Sequence, residues 1–293
     1  MNAVPFNFVD SVVGLLDHRS TLEPESKEGT KIIAKKREST TFCDLATIRK
    51  NRRFARIDLI TDSSNGNRPS EEDWEDARIL GETEAAKQLA SMIPQFEPSS
   101  HLCWHDGEKE IVFRSLMDKV TLREITLHSS GPMVILFLEK QIDNSPYLDN
   151  VYLHGERWPN SVLPLLIKLC LKGTPRKHVS VTTDSTELLI GTNFIQNFFD
   201  YWKANGTLNF LFAFPEKALD SEGRQALSNY QEGNIKFIHS LSFLRHKTER
   251  AFFFSYFRET TNNRYCFLDF TSCGCHMTQQ CLLMKRYPPF HSF

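Results

Sequence analysis

Three segments in the middle of the chain repeat one pattern of apolar and polar positions. They begin at Leu122, Leu148 and Arg176, and apolar residues follow three and five positions later. The apolar pairs are Ile125 and Leu127, Val151 and Leu153, and Val179 and Val181. A looser fourth copy spans Leu208–Ala213. The starting positions lie 26, 28 and 32 residues apart (122 to 148, 148 to 176 and 176 to 208).

Alternating apolar residues in a strand point to one face, and a helix between successive strands can cover that face. One such unit cannot bury its apolar face alone, but neighbouring units that stack bury it together. The pattern therefore predicts an α/β fold, a leucine-rich-repeat-like stack of short strands and helices. The residues expected at equivalent covered positions are Ile125, Val151, Val179 and Leu211.

The segments outside these strands carry helical patterns. Asn160–Leu171 is strongly apolar and is predicted to be a helix. Thr192–Ala204 places aromatic and aliphatic residues at helical spacing, and Gly206 supplies a C-terminal stop. Closer to the N-terminus, we expect a helix over Glu82–Met92 that ends before Pro94.

The two ends of the chain differ from this repetitive body. Val4–Leu16 has one apolar face and Pro5 in its first turn, which predicts a short N-terminal helical region. Arg250–Phe257 and Arg264–Phe270 are aromatic segments separated by a polar turn, which predicts a C-terminal β-hairpin. We therefore divide the chain into a helical and basic polar region (1–60), an acidic loop and helix (61–101), and the repeat-like scaffold with its hairpin (102–293).

The charge of the chain gives no overall attraction to nucleic acid or to an anionic membrane. The formal net charge is −1 and the pI is near 6.8. Basic residues are concentrated in Lys27–Arg56, and acidic residues follow in Glu71–Asp76. Aromatic residues and glycines are scarce among the basic residues, so we interpret the two segments as solvated faces that attract each other. Nucleic acid is not an expected partner.

No segment is predicted to enter or cross a membrane. Val4–Leu16 lacks a basic leader and a small-residue cleavage site, and the longest apolar run, Val162–Leu171, contains Pro164 and Lys168. Seven cysteines, an odd number, fit free thiols in a reducing compartment better than a disulfide framework. The expected location is the cytoplasm or the nucleus.

The densest group of metal-ligating side chains lies near the C-terminus. Cys273, Cys275, His276 and Cys281 follow one another closely, and Cys266 precedes them. Thiolate and imidazole groups bind zinc well. The Cys-x-Cys pair, however, is tighter than the usual two-residue gap, and no second paired knuckle follows. We therefore expect free thiols here, with neither a metal nor a cofactor.

Two histidines, His128 and His154, hold equivalent positions in consecutive repeats. Adjacent strands lie about 4.8 Å apart, so these side chains are expected to be neighbours. They could contact a ligand or form a pH-sensitive spot. We favour the simpler interpretation, in which they cap the exposed ends of strands.

Local motifs of hydrolytic, phosphoryl-transfer and dinucleotide-dependent enzymes do not occur in the sequence. It contains no Gly-x-Ser-x-Gly, Walker, Gly-x-Gly-x-x-Gly or His-Glu-x-x-His motif. No catalytic residue is proposed, and we predict that the protein is not an enzyme.

Parts of the sequence resemble a family of nematode F-box proteins. Val4–Leu16 is similar to the first F-box helix, a proline-led apolar helix. Asn193–Leu208 looks like the helix-then-strand signature of the F-box-associated type 2 region, and Glu232–Ile235 and Phe252–Arg258 resemble the end of that region. The resemblance covers roughly Leu102–Leu283 and the N-terminal helix.

In that family, the F-box binds the adaptor of a cullin-RING ubiquitin ligase, and the associated region selects the protein to be ubiquitylated. The resemblance therefore implies two partners, the cullin-ligase adaptor and an unknown protein substrate. The implied adaptor-binding residues are Val4, Pro5, Phe8, Val12 and Leu16. Asp17–Thr41 is polar, with Pro24 and Gly29 where packing residues are needed, so the F-box is degenerate.

The leading hypothesis is a protein-interaction scaffold that acts as the substrate-recognition component of an SCF-type ubiquitin ligase. Two alternatives stay open. One is a protein-binding scaffold without a ligase link. The other is a zinc-stabilised nucleic-acid-binding protein that uses Lys35–Arg56.

Overall fold

The computed structural model describes residues 30–31, 79–80, 82–93, 100–104, 111–128, 131–229, 233–237, 239–260, 263–277 and 281–291. The basic segment Lys35–Arg56 lies outside these ranges. So do the predicted adaptor-binding residues Val4, Pro5, Phe8, Val12 and Leu16.

The described residues form alternating strands and helices over most of their length. Strands β1 to β11 are, in chain order, Thr30–Lys31, Ile79–Leu80, His101–Trp104, Glu124–Leu127, Asn150–Leu153, Val179–Thr183, Phe210–Pro215, Gly233–Phe237, His239–Arg245, Ala251–Glu259 and Arg264–Ser272. Helices α1 to α8 are Glu82–Met92, Ile111–Leu116, Pro132–Asn144, Leu163–Cys170, Thr192–Asn205, Ser221–Asn229, Leu282–Arg286 and Pro288–His291. Short 3₁₀ turns at Asn160–Val162 and Glu216–Ala218 precede α4 and α6.

The helices predicted near 82–92, 160–171 and 192–204 are confirmed as α1, the 3₁₀ turn with α4, and α5. Gly206 ends α5 in the left-handed conformation, with a φ of 63°, and its N–H donates to the carbonyl of Trp202. This conformation strains residues that carry a Cβ atom, which explains the glycine at this stop. None of the helices within the described ranges combines the length and the apolar character needed to cross a bilayer.

One mixed sheet organises the chain, with the strand order β3-β4-β5-β6-β7-β11-β10-β9-β8. Strands β3 to β7 are parallel and occur in the same order in space as in sequence. The remaining strands pair antiparallel. β3 contains both residue 101 and residue 102, so the boundary predicted between those residues divides a strand. A separate antiparallel pair joins β1 and β2.

The strand register corrects the alignment of the repeated pattern. Ile125 lies opposite Val151 as expected, but Val151 lies opposite Val181 and not Val179. A shift of two residues keeps every side chain on its face, and both valines are buried. The fourth copy of the pattern is displaced by one residue. The pattern aligns Val179 with Leu211, but in the sheet Val179 lies opposite Phe210. Leu211 consequently points to the opposite face and is only half-buried.

The error at Leu211 has a physical cause. Phe210–Pro215 is apolar at every position, so alternation cannot fix which residues face inward. The phase of β7 is decided by its neighbours, since Phe210 and Phe212 contribute to the core and lie opposite Phe270 and Leu268 of β11.

Helices α1 to α6 pack along one face of this sheet, the helix-covered face, and each contacts the next in chain order. Their apolar stripes and the inward-pointing strand residues form one continuous core. Its aromatic centre lies between α5 and the antiparallel strands, with ring centroids 4.7 to 6.1 Å apart. These rings belong to Phe198, Phe199, Trp202, Phe210, Phe253 and Phe270.

Helices α7 and α8 pack against the other face, which we call the second face. Tyr287 stacks on Phe254 with centroids 3.7 Å apart, and Phe290 contacts Phe252 and Phe254. β10 and β11 pair antiparallel, and β10 pairs on its other side with β9. These aromatic strands therefore lie inside the sheet, and two helices follow them in the chain.

Candidate functional site

The second face of the sheet carries a row of side chains that runs across strands β4 to β10. Residues opposite one another in register point to the same face. The row consists of Thr126, Tyr152, Thr182, Ala213, Phe267 and Tyr256. Tyr256 and Phe267 stack with ring centroids 4.8 Å apart. Tyr152, Tyr256 and Phe267 are half-buried, so each ring presents part of its surface.

A second set of side chains lies where three parallel strands end. His128, His154 and Asp184 directly follow Leu127, Leu153 and Thr183, which are aligned in register. The rings of His128 and His154 stack with centroids 4.1 Å apart and planes inclined by 13°. Nδ1 of His154 lies 2.8 Å from Oδ2 of Asp184. The prediction that the two histidines are neighbours is confirmed, and we call the three residues the ladder.

The hydrogen bond to Asp184 determines which ring nitrogen of His154 carries the proton. A carboxylate accepts hydrogen bonds, so Nδ1 of His154 donates and the neutral ring carries its lone pair on Nε2. Oδ1 of Asp184 is buried and has no hydrogen-bond partner among the described residues. One acceptor of the ladder is therefore buried without a partner among the described residues.

Asp184 of the ladder acts on two tyrosines of the second face. The ring of Tyr152 contacts that of His154 edge-on, with centroids 3.7 Å apart. Burial, followed by the negative charge of Asp184, raises the pKa of Tyr152 to about 12. Burial and Asp184 also raise the pKa of Tyr265, which is half-exposed. Both phenols therefore stay protonated at neutral pH and can donate hydrogen bonds.

The loop after β5 holds the ladder in place. Gly155 has a φ of 88°, and a Cβ atom there would lie 3.3 Å from the carbonyl oxygen of His128. Nε1 of Trp158, a buried side chain, donates to the carbonyl of His154 at 2.7 Å. Ser185 Oγ donates to the carbonyl of Glu156 at 2.7 Å, which links this loop to the end of β6.

Sequence reasoning missed Asp184, Tyr152 and Tyr265 as parts of this site. The sequence alignment places Thr182 at the position of the histidines, but the strand register shifts the third segment by two residues and places Asp184 there. Tyr152 occupied the outward position between two apolar residues, which was a usable signal. Tyr265 is contributed by β11, and no local pattern connects it to the repeats.

An Asp–His pair also occurs in hydrolytic sites, where a nucleophilic hydroxyl or thiol lies within hydrogen-bond reach of the other imidazole nitrogen. In the part of the chain that the structure describes, no hydrogen bond joins Nε2 of His154 to a serine, threonine or cysteine.

The C-terminal cysteines form a separate cluster. The structure brings together Cys273, Cys275 and Cys281, and the fourth member is His291, at the end of α8. The other two candidates lie apart from it. Cys266 points into the core of the helix-covered face, and His276 is exposed in a turn. His291 was missed because it is 10 residues beyond Cys281 (281 to 291), and no short-range spacing marks it.

The Sγ atom of Cys281 accepts hydrogen bonds from the backbone. The N–H of Gly274 donates to its Sγ atom at 3.4 Å. Burial acts to raise the pKa of Cys281, but hydrogen bonds from Met284, Gly274 and the neighbouring thiols outweigh it and leave the pKa lowered. This thiol is therefore more acidic than an ordinary cysteine.

Comparisons with protein-family models, with curated proteins and with solved structures found no match for this chain. The resemblance to F-box proteins therefore has no support beyond the residues that carry it.

Proposed function

We propose that this protein is an interaction scaffold that binds a partner protein on the second face of its sheet. The observation that carries the proposal is the surface formed by the ladder with Tyr152 and Tyr265. Two stacked imidazoles, an aspartate and the ring of Tyr152 lie together there, and Asp184 acts electrostatically on Tyr265 of the same face.

This combination suits protein recognition. Tyrosines are enriched at interface centres because they offer apolar area and a hydroxyl on a side chain with few rotatable bonds. The ladder and the Tyr152–His154 contact already hold several of these side chains in place. Ordered side chains lose little conformational entropy when a partner binds, which favours affinity.

We interpret the units from β3 to β7 as a leucine-rich-repeat-like stack. Strands consecutive in the chain are neighbours in the sheet, and the helices between them contact one another in the same order. In such a stack the helices cover one face, and the other face is available for partners. This arrangement is the reason for assigning recognition to the second face.

We further propose that the scaffold selects substrates for an SCF-type ubiquitin ligase. This step is supported by the resemblance of Val4–Leu16 to an F-box helix and of Asn193–Leu208 to the F-box-associated type 2 signature. The order of α5, a glycine stop at Gly206 and β7 agrees with that signature. The ubiquitin chemistry would belong to other subunits.

A pull-down of the cullin-ligase adaptor with the full-length protein tests the ligase link. The wild-type chain is expected to retain the adaptor, and Phe8→Asp or Leu16→Asp to release it. Asn7→Asp, which adds the same charge at a polar position of the same segment, is the matched control and should bind normally. If the intact protein does not bind the adaptor, the ligase link fails and the scaffold without a ligase becomes the better hypothesis.

Photo-crosslinking tests the recognition face independently of the ligase. A photoreactive residue at position 152 or 265 is expected to capture the same partner, and one at position 201 is not. Tyr201 is an exposed tyrosine on α5, so it serves as a matched control on the helix side. Tyr152→Ala should weaken binding of the captured partner by roughly thirtyfold, as for an interface hot spot of about 2 kcal/mol. Equal capture at positions 152 and 201 would argue against the second face.

A further inference from the structure

We propose that Cys273, Cys275, Cys281 and His291 bind one zinc ion, which fastens helices α7 and α8 to the end of strand β11. The site is separate from the recognition surface of the second face. It reverses the expectation, drawn from residue spacing alone, that these thiols are free.

The distances between the four side chains fit tetrahedral coordination. With Zn–S bonds of about 2.3 Å and a Zn–N bond of about 2.0 Å, tetrahedral angles place two sulfurs about 3.8 Å apart and a sulfur and a nitrogen about 3.5 Å apart. Sγ of Cys281 lies 3.8 Å from Sγ of Cys273, and Nε2 of His291 lies 3.5 Å from Sγ of Cys273. All four ligand atoms lie within 4.8 Å of one another.

One distance requires a small adjustment. Sγ of Cys275 lies 2.9 Å from Nε2 of His291, so these atoms must separate by about half an ångström to bind one ion. Cys275 is exposed in the turn of residues 275–277, so little packing opposes that adjustment. Cys273 and Cys281 are buried and need no such movement.

The ligand set selects the metal and its role. Three thiolates and an imidazole are soft ligands that favour zinc over magnesium or calcium. Binding releases the protons of the three thiols, and the site then carries a net charge of −1. The N–H of Gly274, which donates to Cys281, offsets part of that charge. Four protein ligands leave no open position, and this is the arrangement of a structural zinc site.

The position of the ligands explains what the ion would stabilise. Cys281 immediately precedes α7 and His291 ends α8, so the two ligands bracket both helices. These helices have five and four residues, too short to be stable alone in water. Cys273 and Cys275 directly follow β11. An ion bound to all four would hold Tyr287 and Phe290 against the aromatic side chains of β10.

Metal analysis of the full-length protein, purified under reducing conditions, tests the proposal. One zinc per chain is expected, and cobalt(II) in its place should give the visible spectrum of a tetrahedral, thiolate-rich site. Cys275→Ser and His291→Asn should each weaken zinc binding more than about a hundredfold, beyond the loss typical of an outer-shell partner. His276→Asn, which changes an exposed histidine of the same turn, is the matched control and should keep its zinc.

Trypsin digestion tests the anchoring role. Removal of zinc by a chelator should speed cleavage after Lys285 and Arg286, which lie in α7, and His291→Asn should behave like the chelated wild type. The proposal is overturned if the reduced, cooperatively unfolding wild-type protein binds no zinc, or if both ligand variants bind it as tightly as the wild type. Isolation of the chain with Cys273 and Cys281 in a disulfide, and no zinc uptake after reduction, would also overturn it. Zinc binding without any effect of the chelator on cleavage would remove the anchoring role.

Discussion

The imidazole rings of His128 and His154 stack 4.1 Å apart although 26 residues of chain separate them (128 to 154). The parallel register of β4 and β5 is the cause. Leu127 lies opposite Leu153, and His128 and His154 directly follow these two leucines. The register continues to Asp184 after β6, which adds a hydrogen bond to the stack. Strand pairing thus brings side chains from three distant segments of the chain into contact.

Loss of the His154 imidazole should destabilise the protein through Asp184. His154→Ala leaves both oxygens of a mostly buried carboxylate without a partner among the described residues. We expect the free energy of unfolding in urea to fall by about 1 to 2 kcal/mol. His128→Ala leaves the hydrogen bond between His154 and Asp184 in place and should cost less. A double-mutant cycle with Asp184→Asn should give a coupling energy of about 1 kcal/mol, and additive effects would contradict the ladder.

Phe270 and Phe267 of β11 point to opposite faces of the sheet, so the same substitution can be compared on both faces. Phe270 is fully buried and contacts Phe198, Phe199 and Phe253. Phe270→Ala should therefore lower the free energy of unfolding by about 3 to 5 kcal/mol. Phe267 lies on the second face and is half-buried, so Phe267→Ala should cost about 1 kcal/mol. Chemical denaturation of both variants checks the difference, and equal losses would be inconsistent with the register.

The side chain of Gln141 in α3 forms hydrogen bonds with the backbone of two residues, Val120 and Leu122. Its Oε1 accepts from the N–H of Leu122 at 3.1 Å, and its Nε2 donates to the carbonyl of Val120 at 2.9 Å. All three groups belong to buried residues. Gln141→Leu keeps the volume but leaves two buried backbone groups unpaired, so we expect a loss of about 2 to 4 kcal/mol in thermal or urea unfolding.

A nearby variant controls for helix propensity in that experiment. Lys140→Leu changes the preceding residue of α3, which is only half-buried, to the same side chain. Its effect should stay within about 0.5 kcal/mol. A similar loss for both variants would show that the hydrogen bonds of Gln141 are not responsible.

His178 should make the stability depend on pH below neutrality. Burial and the positive charge of Arg286 lower its pKa to about 4, and Nη2 of Arg286 lies 3.0 Å from Nε2 of His178. The unfolded chain, with a histidine pKa near about 6.5, binds this proton first. The folded state, in which His178 stays neutral, therefore loses stability progressively as the pH falls from about 6.5 to about 4.

The size of that effect follows from the shift. Each pKa unit corresponds to about 1.4 kcal/mol, so a pKa of about 4 in place of about 6.5 should cost about 3 kcal/mol across this window. His178→Gln keeps an acceptor for Arg286. It should flatten the pH dependence of the free energy of unfolding, measured by urea unfolding at several pH values. His276→Asn should leave the pH dependence unchanged. A wild-type slope that survives His178→Gln would assign it to other groups.

The sequence by itself determined several of the local elements of this protein. Helical spacing and Gly206 located α5, and alternation located β4, β5 and β6 because their inward and outward residues differ sharply in polarity. The same logic predicted that His128 and His154 are neighbours. These features depend on residues close in the chain, or on one period that repeats.

Only the tertiary structure decided the register and the composition of the two sites. β7 is apolar throughout, so its inward residues were fixed by packing against β6 and β11. Asp184 joined the ladder through strand pairing, and His291 joined the cysteines because α7 and α8 fold back onto the sheet. Local pattern carries no information on such contacts, since they depend on which distant surfaces bury each other most completely.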